Sequence, residues 1–370
     1  MLEITNFRDG AVLDRANGRE TAEYLEIRIE GIASTQSSVC VNGVLAERND
    51  RNFSATVKLR ERVNSVTVEA SDYYGVSSRR ITLFWDKKSF KRYNFFVDDC
   101  CFFLRNIAIM RPKSIFEELF LARLKKIHDQ YGSKFTLNLF FHDDHHDFSI
   151  ADMPADYKQE FQQNSDWLRM SFHAYSEFPD RPYQHADSAK LAADYDLIYK
   201  EVCRFAGTES FIAPLVIHWA MTNPDNFSVI KERGTRCLTG QFIGSIAYIG
   251  EAHTSAVTDI GFHYEKDVAN YLAANHRFYD RFHDIILMDN LLCCNFDDLD
   301  TIQSKFDALP ESGYDTLSLM THEQYCYSDY FNYIPNHLDR IEFACKMASL
   351  KGYKPVFFNE GVMGNTQADS

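Results

Sequence analysis

Arg92-Tyr-Asn-Phe-Phe-Val-Asp-Asp-Cys-Cys-Phe-Phe103 is the stretch that decides how the rest of the chain is organised. Residues Tyr93 to Val97 are aromatic or β-branched except for Asn94, a composition that favours a buried strand. This strand runs directly into Asp98 and Asp99. Because neighbouring strand residues point to opposite faces, the two carboxylates can lie together only where the strand ends and turns. Enzymes with α/β folds carry their chemistry at this end of a strand, although Asp also simply terminates strands.

Three later predicted strands also end in a histidine. Residues 167–172 lead into His173, residues 211–217 into His218, and residues 316–321 into His322 and Glu323. In a barrel of parallel strands these ends converge on one face. Carboxylates and imidazoles together suit a divalent metal with an open coordination position, where water is activated to attack a carbonyl. The alternative is that each histidine is an ordinary half-buried residue at a strand end.

The chain of 370 residues is long enough for two domains, and its pattern changes near residue 87. Residues 1–87 predict a small immunoglobulin-like β-sandwich of short strands, with a structural or carbohydrate-contacting role. An Asn-Gly pair within Val39–Val44 predicts a hairpin there. Residues 88–370 alternate strands with helices such as Ser188–Phe205, which indicates an α/β fold with a mainly parallel sheet or barrel.

The composition narrows the classes of partner. The net charge of −14 argues against nucleic acid or an anionic membrane as the main partner, because both would repel the protein. No apolar run approaches the roughly 20 residues of a membrane span. The nine cysteines are odd in number and lack CxxC spacing, so we expect buried free thiols rather than a cysteine zinc site, and a cytoplasmic location. The aromatic content of 14% suits a carbohydrate surface.

Two regions are less informative. The run His142-Asp-Asp-His-His-Asp147 looks like a metal site, but six polar residues in one loop are also typical of a solvated turn. Residues 237–300 are harder to interpret. We expect strands near Ala247–Ile249 and Ile285–Met288 in this region.

The order of strand–Asp-Asp, later strand–His and later strand–His resembles the polysaccharide deacetylase superfamily, the NodB-like carbohydrate esterases. The resemblance rests on Phe95-Phe-Val-Asp-Asp99, Ser171-Phe-His-Ala-Tyr-Ser-Glu177 and Leu319-Met-Thr-His322, and covers about residues 90 to 360. It implies a distorted (β/α) barrel of about seven strands that hydrolyses acetyl groups on sugars with a divalent metal such as zinc. It further implies that Asp98 is the general base, that Asp99 and His173 are metal ligands, and that His322 is the general acid.

Two positions depart from the family pattern. Glu177 stands where the family has a second histidine, and because Glu can ligate zinc we expect it to be the third ligand. Ile212-Ala-Pro214 keeps the proline of the family's Arg-x-Pro motif without its arginine. Arg181 is the candidate to supply the missing positive charge near Asp98; alternatively, Arg181 and Asp180 form a surface ion pair.

The sequence therefore predicts a metal-dependent hydrolase that removes acetyl groups from a carbohydrate. The residues expected to contact the substrate are His218, Glu323, Asp180 and Tyr183. Two other functions stay open on the same barrel. One is a metal-independent glycoside hydrolase that uses Asp98 with Glu323. The other is a non-catalytic carbohydrate-binding or assembly protein. Oligomeric state is not predicted.

Overall fold

The computed structural model describes residues 2–220, 222–240, 264, 266–310 and 314–369. The chain divides into two compact units. The first is Met1–Ser89 with Arg277–Ile286 and Thr366–Ser370, and the second is Phe90–His276 with Leu287–Asn365. The predicted division at residue 87 assigned all later residues to the second domain, whereas the structure places residues 277–286 and 366–370 in the first unit. The strand expected near Ala247–Ile249 lies outside the described residues.

Two β-sheets make up most of the first unit. Its strands in chain order are β1 (Leu2–Ile4), β2 (Ala11–Leu13), β3 (Arg19–Glu20), β4 (Leu25–Ala33), β5 (Ser38–Val41), β6 (Val44–Leu45), β7 (Glu47–Asn49), β8 (Asn52–Leu59), β9 (Val63–Asp72) and β10 (Gly75–Trp85). One sheet has the order β1–β4–β8–β7 with β3 paired to β4, and the other has the order β2–β10–β9–β5–β6. The predicted hairpin is confirmed, since Asn42 and Gly43 have φ of 47° and 78° and join β5 to β6. The immunoglobulin-like assignment stays a prediction.

The second unit is a mixed α/β structure built on a parallel sheet. The remaining strands, of which β17 belongs to the first unit, are β11 (Arg92–Cys100), β12 (Phe135–Phe140), β13 (His142–Asp143), β14 (Phe148–Ser149), β15 (Leu168–Ala174), β16 (Cys237–Gly240), β17 (Arg277–Asp280), β18 (Ile285–Cys293), β19 (Thr316–His322) and β20 (Lys354–Pro355). The sheet order is β15–β12–β11–β19–β18–β16, and β20 also pairs with β11. All nine residues of β11 are buried, as expected for a central parallel strand covered on both faces.

Helices separate these strands. They are α1 (Phe102–Met110), α2 (Leu119–Tyr131), α3 (Lys158–Gln163), α4 (Ser188–Phe205), α5 (Phe227–Glu232), α6 (Lys266–Asn275), α7 (Leu299–Asp307) and α8 (His337–Leu350). The predicted helix Ser188–Phe205 is confirmed, and both of its ends are as predicted. Asp187 caps its first turn by accepting a hydrogen bond from the backbone N–H of Lys190. Among the described residues, no helix is both long and apolar enough to cross a membrane. All nine cysteines are free thiols, as expected; seven are buried, whereas Cys40 and Cys203 are only half-buried.

A buried ion-pair cluster holds β17 within the first unit. The guanidinium of Arg277 lies 2.7 Å from Asp14 and 3.4 Å from Asp86, and all three side chains are buried. A buried cation is tolerated only when carboxylates pair with it, so these contacts hold the returning strand in place. No local pattern in the sequence predicts an ion pair between residues so far apart in the chain.

The segment 211–217 was expected to be a strand, but its hydrogen bonding is irregular. The Ile212 N–H donates to the carbonyl of Met170 in β15 (2.9 Å), and the Thr239 N–H of β16 donates to the carbonyl of Leu215 (2.7 Å). The segment therefore contacts both outer strands of the sheet. Pro214 has no N–H to give to a ladder, which accounts for the single bridge at Phe211 in place of a continuous strand.

Candidate functional site

Asp98 and Asp99 lie together at the end of β11, as the sequence predicts. The pairing of β11 with β12 shifts register between Val97 and Cys100, and Asp99 has a φ of 58°. This local turn overrides the strand alternation that would send the two side chains to opposite faces. Both carboxylates consequently line the same cavity and both are buried.

Asp99, His173 and His218 form a compact group that could hold a metal ion. Nε2 of His173 lies 3.2 Å from Oδ1 of Asp99, Nδ1 of His218 lies 3.5 Å from the same oxygen, and the two nitrogens are 3.0 Å apart. Ligand atoms about 2.0–2.1 Å from a tetrahedral metal would be about 3.3–3.4 Å from one another. The donor atoms therefore already have the spacing that a zinc-type ion requires.

Two further observations fit the metal. Oδ1 of Asp99 is buried without a hydrogen-bond partner, an arrangement that is costly unless another group satisfies the oxygen. Nε2 of His218 donates to the main-chain carbonyl of Glu177 at 3.1 Å, which leaves Nδ1 as the unprotonated, ligating nitrogen. The group combines one carboxylate with two imidazoles, a donor set typical of catalytic zinc.

Glu177, the expected third ligand, is outside this compact group, and His218 stands in its place. The carboxylate of Glu177 instead accepts hydrogen bonds from His145 (2.6 Å) and Gln324 (2.8 Å). Its backbone, as described above, orients His218. Glu177 still lines the cavity, so its expected role as a ligand stays a prediction that the geometry does not favour.

The two aspartates have opposite electrostatic environments. Burial and the neighbouring Asp99 charge raise the pKa of Asp98 well above its usual range, while a hydrogen bond from Asn138 (2.7 Å) partly offsets them. Burial by itself would also raise the pKa of Asp99, but His322, His173 and His218 lower that pKa well below the usual range. Asp99 is therefore the carboxylate that stays ionised, as a metal ligand must.

His322 approaches the group from the neighbouring strand. It pairs in register with Asp98, and its Nε2 lies 3.9 Å from Oδ2 of Asp99. Nδ1 of His322 donates to Oδ1 of Asn295 at 2.8 Å, so Nε2 is the nitrogen directed at the aspartate. Burial lowers the pKa of His322, with a contribution from His218, although the Asp99 charge opposes this shift.

These groups line one cavity of about 420 Å³. The lining residues are Asp98, Asp99, His173, Glu177, Asp180, Val216, His218, Trp219, Ala220, Gly240, Asn290, Cys293, Phe296, Met320, His322, Tyr325 and Tyr330. The lining thus combines acids and imidazoles with aromatic rings. A cavity of this size accommodates a small molecule or one unit of a longer chain.

Comparison with known proteins gives little further information. No protein-family model matches the chain, and no curated protein matches it. The solved structures found include an engineered protein (14% identity, TM-score 0.17), where the match covers 23% of this chain and 20% of that chain. They also include a candidate alpha-galactosidase from Bacteroides fragilis (9% identity, TM-score 0.27, 95% of this chain and 78% of that chain) and a Bacteroides ovatus GH5 xyloglucanase in complex with a XXXG heptasaccharide (10% identity, TM-score 0.22, 94% and 100%). Similarities this low carry no argument about fold or function.

Glu323 and Tyr183, both expected to contact substrate, are buried and are not among the residues lining the cavity. The carboxylate of Glu323 accepts three backbone hydrogen bonds at the start of α1, from Cys101 (2.7 Å), Phe102 (3.0 Å) and Phe103 (2.6 Å). It therefore caps that helix, satisfying N–H groups that have no partner within it. The hydroxyl of Tyr183 donates to Asp194 at 2.9 Å.

Asp180 and Arg181 occupy the edge of the cavity. Asp180 is exposed and belongs to the lining, as a substrate contact would. The guanidinium carbon of Arg181 lies 5.3 Å from the ring centroid of Trp219, which also lines the cavity. The structure thus gives Arg181 an aromatic neighbour in the lining, and its expected action on Asp98 stays a prediction.

The loop 142–147 does not form a compact metal group among the described residues. His146 instead lies between two carboxylates, with Nδ1 2.9 Å from Asp143 and Nε2 3.3 Å from Asp329. His145 reaches Glu177, as described above. The loop is thus tied to its neighbours by contacts between histidines and carboxylates rather than projecting as a solvated turn.

Sequence reasoning missed Asn138, Asn295 and the aromatic residues at the cavity. Asn138 is a fully buried amide inside the mainly apolar strand β12, and a buried polar residue of this kind signals a specific partner. Asn295 lies two residues after the end of β18, close to the strand end where the sequence also places the candidate histidines. The run Tyr325-Cys-Tyr-Ser-Asp-Tyr-Phe331 after β19 is dense in aromatic residues, and this density is the signal for an aromatic lining.

Proposed function

We propose that this protein is a metal-dependent hydrolase that removes acetyl groups from a carbohydrate. The observation that carries the proposal is the group of Asp99, His173 and His218 at metal-ligand spacing, with Asp98 beside it and His322 across from it. Asp99, His173 and His218 would hold the ion. When bound, a divalent metal such as zinc supplies a Lewis acid that polarises the acetyl carbonyl and acidifies water.

Asp98 is the proposed general base. Attack of water on the acetyl carbon releases a proton, which a base must accept. Asp98 lies next to the three candidate metal ligands but is not one of them, so its carboxylate is free to accept this proton. Asn138 donates to Oδ1 of Asp98 and so fixes the orientation of the carboxyl. A cation held by Asp99 would lower the pKa of Asp98, because it cancels the negative charge that raises it.

His322 is the proposed general acid. When the carbon–oxygen or carbon–nitrogen bond to the acetyl group breaks, the sugar oxygen or nitrogen needs a proton. Nε2 of His322 faces the group from the neighbouring strand β19, and Asn295 holds the ring through Nδ1. Acetate and a free hydroxyl or amine on the sugar are the products.

A relationship to the polysaccharide deacetylases is part of the proposal. The segment 211–217 hydrogen-bonds to both β15 and β16, which supports reading the sheet as a distorted barrel of seven elements. The aromatic lining supports a sugar as the substrate, since sugar rings stack on aromatic faces. The alternative glycoside hydrolase paired Asp98 with Glu323, but Glu323 is used as a helix cap away from the cavity lining.

The test is acetate release from the hexamer of N-acetylglucosamine and from acetylated xylan, with zinc-loaded protein and with chelated protein. We expect release by the zinc-loaded protein only. The Asp98→Asn variant should keep its metal and lose about 10²- to 10⁴-fold in rate. Asp166→Asn, an exposed aspartate outside the cavity lining, is the matched control and should retain the rate. New reducing ends without acetate, or glycan binding without turnover, would overturn the proposal.

A further inference from the structure

We propose that Tyr325, Tyr330 and Phe331 form an aromatic stripe that binds the units of an uncharged saccharide chain adjacent to the one in the cavity. The inference rests on the proposed function in one respect, namely that the ligand is a carbohydrate. It adds that the ligand is a chain rather than a single sugar, and that it carries no negative charge.

The stripe is a continuous series of ring contacts from the candidate site to the surface. The ring of His322 lies 6.0 Å from that of Tyr325, Tyr325 lies 5.3 Å from Tyr330, and Tyr330 lies 4.5 Å from Phe331. Tyr325 and Tyr330 line the cavity, whereas Phe331 is 75% exposed. Exposed aromatic surface that continues from a pocket marks a ligand groove more often than chance exposure does.

The stripe is held in place before any ligand arrives. The Ile334 N–H donates to the carbonyl of Tyr325 at 3.0 Å and closes the segment into a compact loop. Tyr330 also packs edge-on against His145, with ring centroids 5.3 Å apart. The hydroxyl of Tyr327, between the stripe residues, bonds to the buried Glu118 at 2.9 Å. Pre-ordered rings bind without the entropic cost of ordering side chains.

The negative charge of the cavity favours uncharged saccharide chains over anionic ones. Four carboxylates line the cavity, those of Asp98, Asp99, Glu177 and Asp180, and the described lining residues include neither Lys nor Arg. The sequence from 241 to 263 contains no Lys or Arg either. Nucleic acids and acidic polysaccharides also present stacking faces, but the cavity and the net charge of −14 repel them.

The experiment is calorimetric binding in the Asp98→Asn background, which removes turnover. The probes are the hexamers of N-acetylglucosamine, β-1,4-glucose and β-1,4-xylose, each monomer, and the hexamer of galacturonate as an anionic chain. We expect at least one neutral hexamer to bind more tightly than its monomer and than the galacturonate hexamer. Phe331→Ala should weaken hexamer binding about 5- to 10-fold and leave monomer binding unchanged. Phe331→Trp should restore it.

Phe282→Ala is the matched control, because Phe282 is 81% exposed and lies in the first unit. Equal effects of Phe331→Ala and Phe282→Ala, equal binding of neutral and anionic hexamers, or no hexamer binding at all would overturn the inference. Acetate release measures the proposed function independently. If the protein releases acetate but Phe331→Ala has no effect on binding, only the saccharide-binding role of the stripe is rejected. If binding depends on Phe331 but no acetate is released, only the deacetylase activity is rejected.

Discussion

Nε2 of His218 donates a hydrogen bond to the main-chain carbonyl of Glu177 at 3.1 Å. This one contact sets the tautomer of His218, so that Nδ1 is directed at Asp99 and His173. Glu177 thus takes part in the candidate metal site through its backbone, while its side chain bonds to His145 and Gln324. Because this contact is made by the main chain, substitution of the Glu177 side chain should leave it in place.

The ligand set predicts which single substitutions remove the metal. His218→Ala should lose the ion because it removes one of three ligands, whereas Glu177→Gln should keep it because the carbonyl that orients His218 remains. The measurement is metal content by mass spectrometry after equal loading with zinc and gel filtration. Loss of metal from Glu177→Gln together with retention in His218→Ala would restore Glu177 as the ligand.

Asn295 is expected to position His322 rather than to touch the substrate. Asn295→Asp would place a negative charge beside Nδ1 of His322 and raise the pKa of that imidazole. Because a general acid must be protonated, activity falls as pH rises through this pKa, and the basic limb should move to higher pH. The pH dependence of kcat for wild type and variant measures the shift. An unmoved basic limb in an active variant would argue against His322 as the acid.

Glu323 is expected to stabilise the fold and not to act on the substrate. Glu323→Gln replaces one carboxyl oxygen by an NH2 group, which cannot accept a hydrogen bond from the three N–H donors at the start of α1. We expect a loss of about 1–3 kcal/mol in the free energy of unfolding. Urea unfolding measures it, with the exposed Glu117→Gln as the control that should change stability little. Unchanged stability with lost activity would instead favour the glycoside hydrolase assignment.

His337 should make the stability depend on pH. Burial lowers its pKa to about 4, with His322 and Arg340 acting in the same direction against the hydrogen bond to the His322 carbonyl. In the unfolded chain the pKa is about 6.5, so below that pH the unfolded state takes up a proton that the folded state refuses. Stability is therefore full above pH 6.5 and falls as the pH drops towards 4, by up to about 3 kcal/mol. Urea unfolding at pH 7 and pH 4.5 should show a smaller difference for His337→Gln than for wild type; equal differences would contradict the assignment.

Local sequence patterns were sufficient to predict much of the secondary structure of the second unit. The aromatic and β-branched stretch before Asp98 is a fully buried central strand, and α4 has the predicted ends. The expectation that the two aspartates lie together also holds, because a turn at the strand end was the condition and Asp99 provides it with a φ of 58°. These features depend on side-chain size, branching and capping over a few neighbouring residues, which the sequence displays directly.

Which residues form the site depends on contacts between residues that are far apart in the sequence. His218 and Glu177 are 41 residues apart, and Glu323 and Cys101 are 222 apart. A carboxylate at a strand end looks the same in sequence whether it caps a helix, binds a metal or orients a histidine. Its role is decided by which backbone N–H groups and side chains the tertiary fold brings within hydrogen-bond distance.

The sequence by itself therefore determined the buried strand that runs into Asp98 and Asp99, the strands that carry His173 and His322 near their ends, and both ends of α4. Only the tertiary structure decided that His218 joins Asp99 and His173, that Glu323 is a helix cap, and that residues 277–286 return to the first unit. The physical reason is that strand and helix propensities act over a few residues. Ligand geometry and buried ion pairs, such as Arg277 with Asp14, depend instead on sheet order and register across the whole chain.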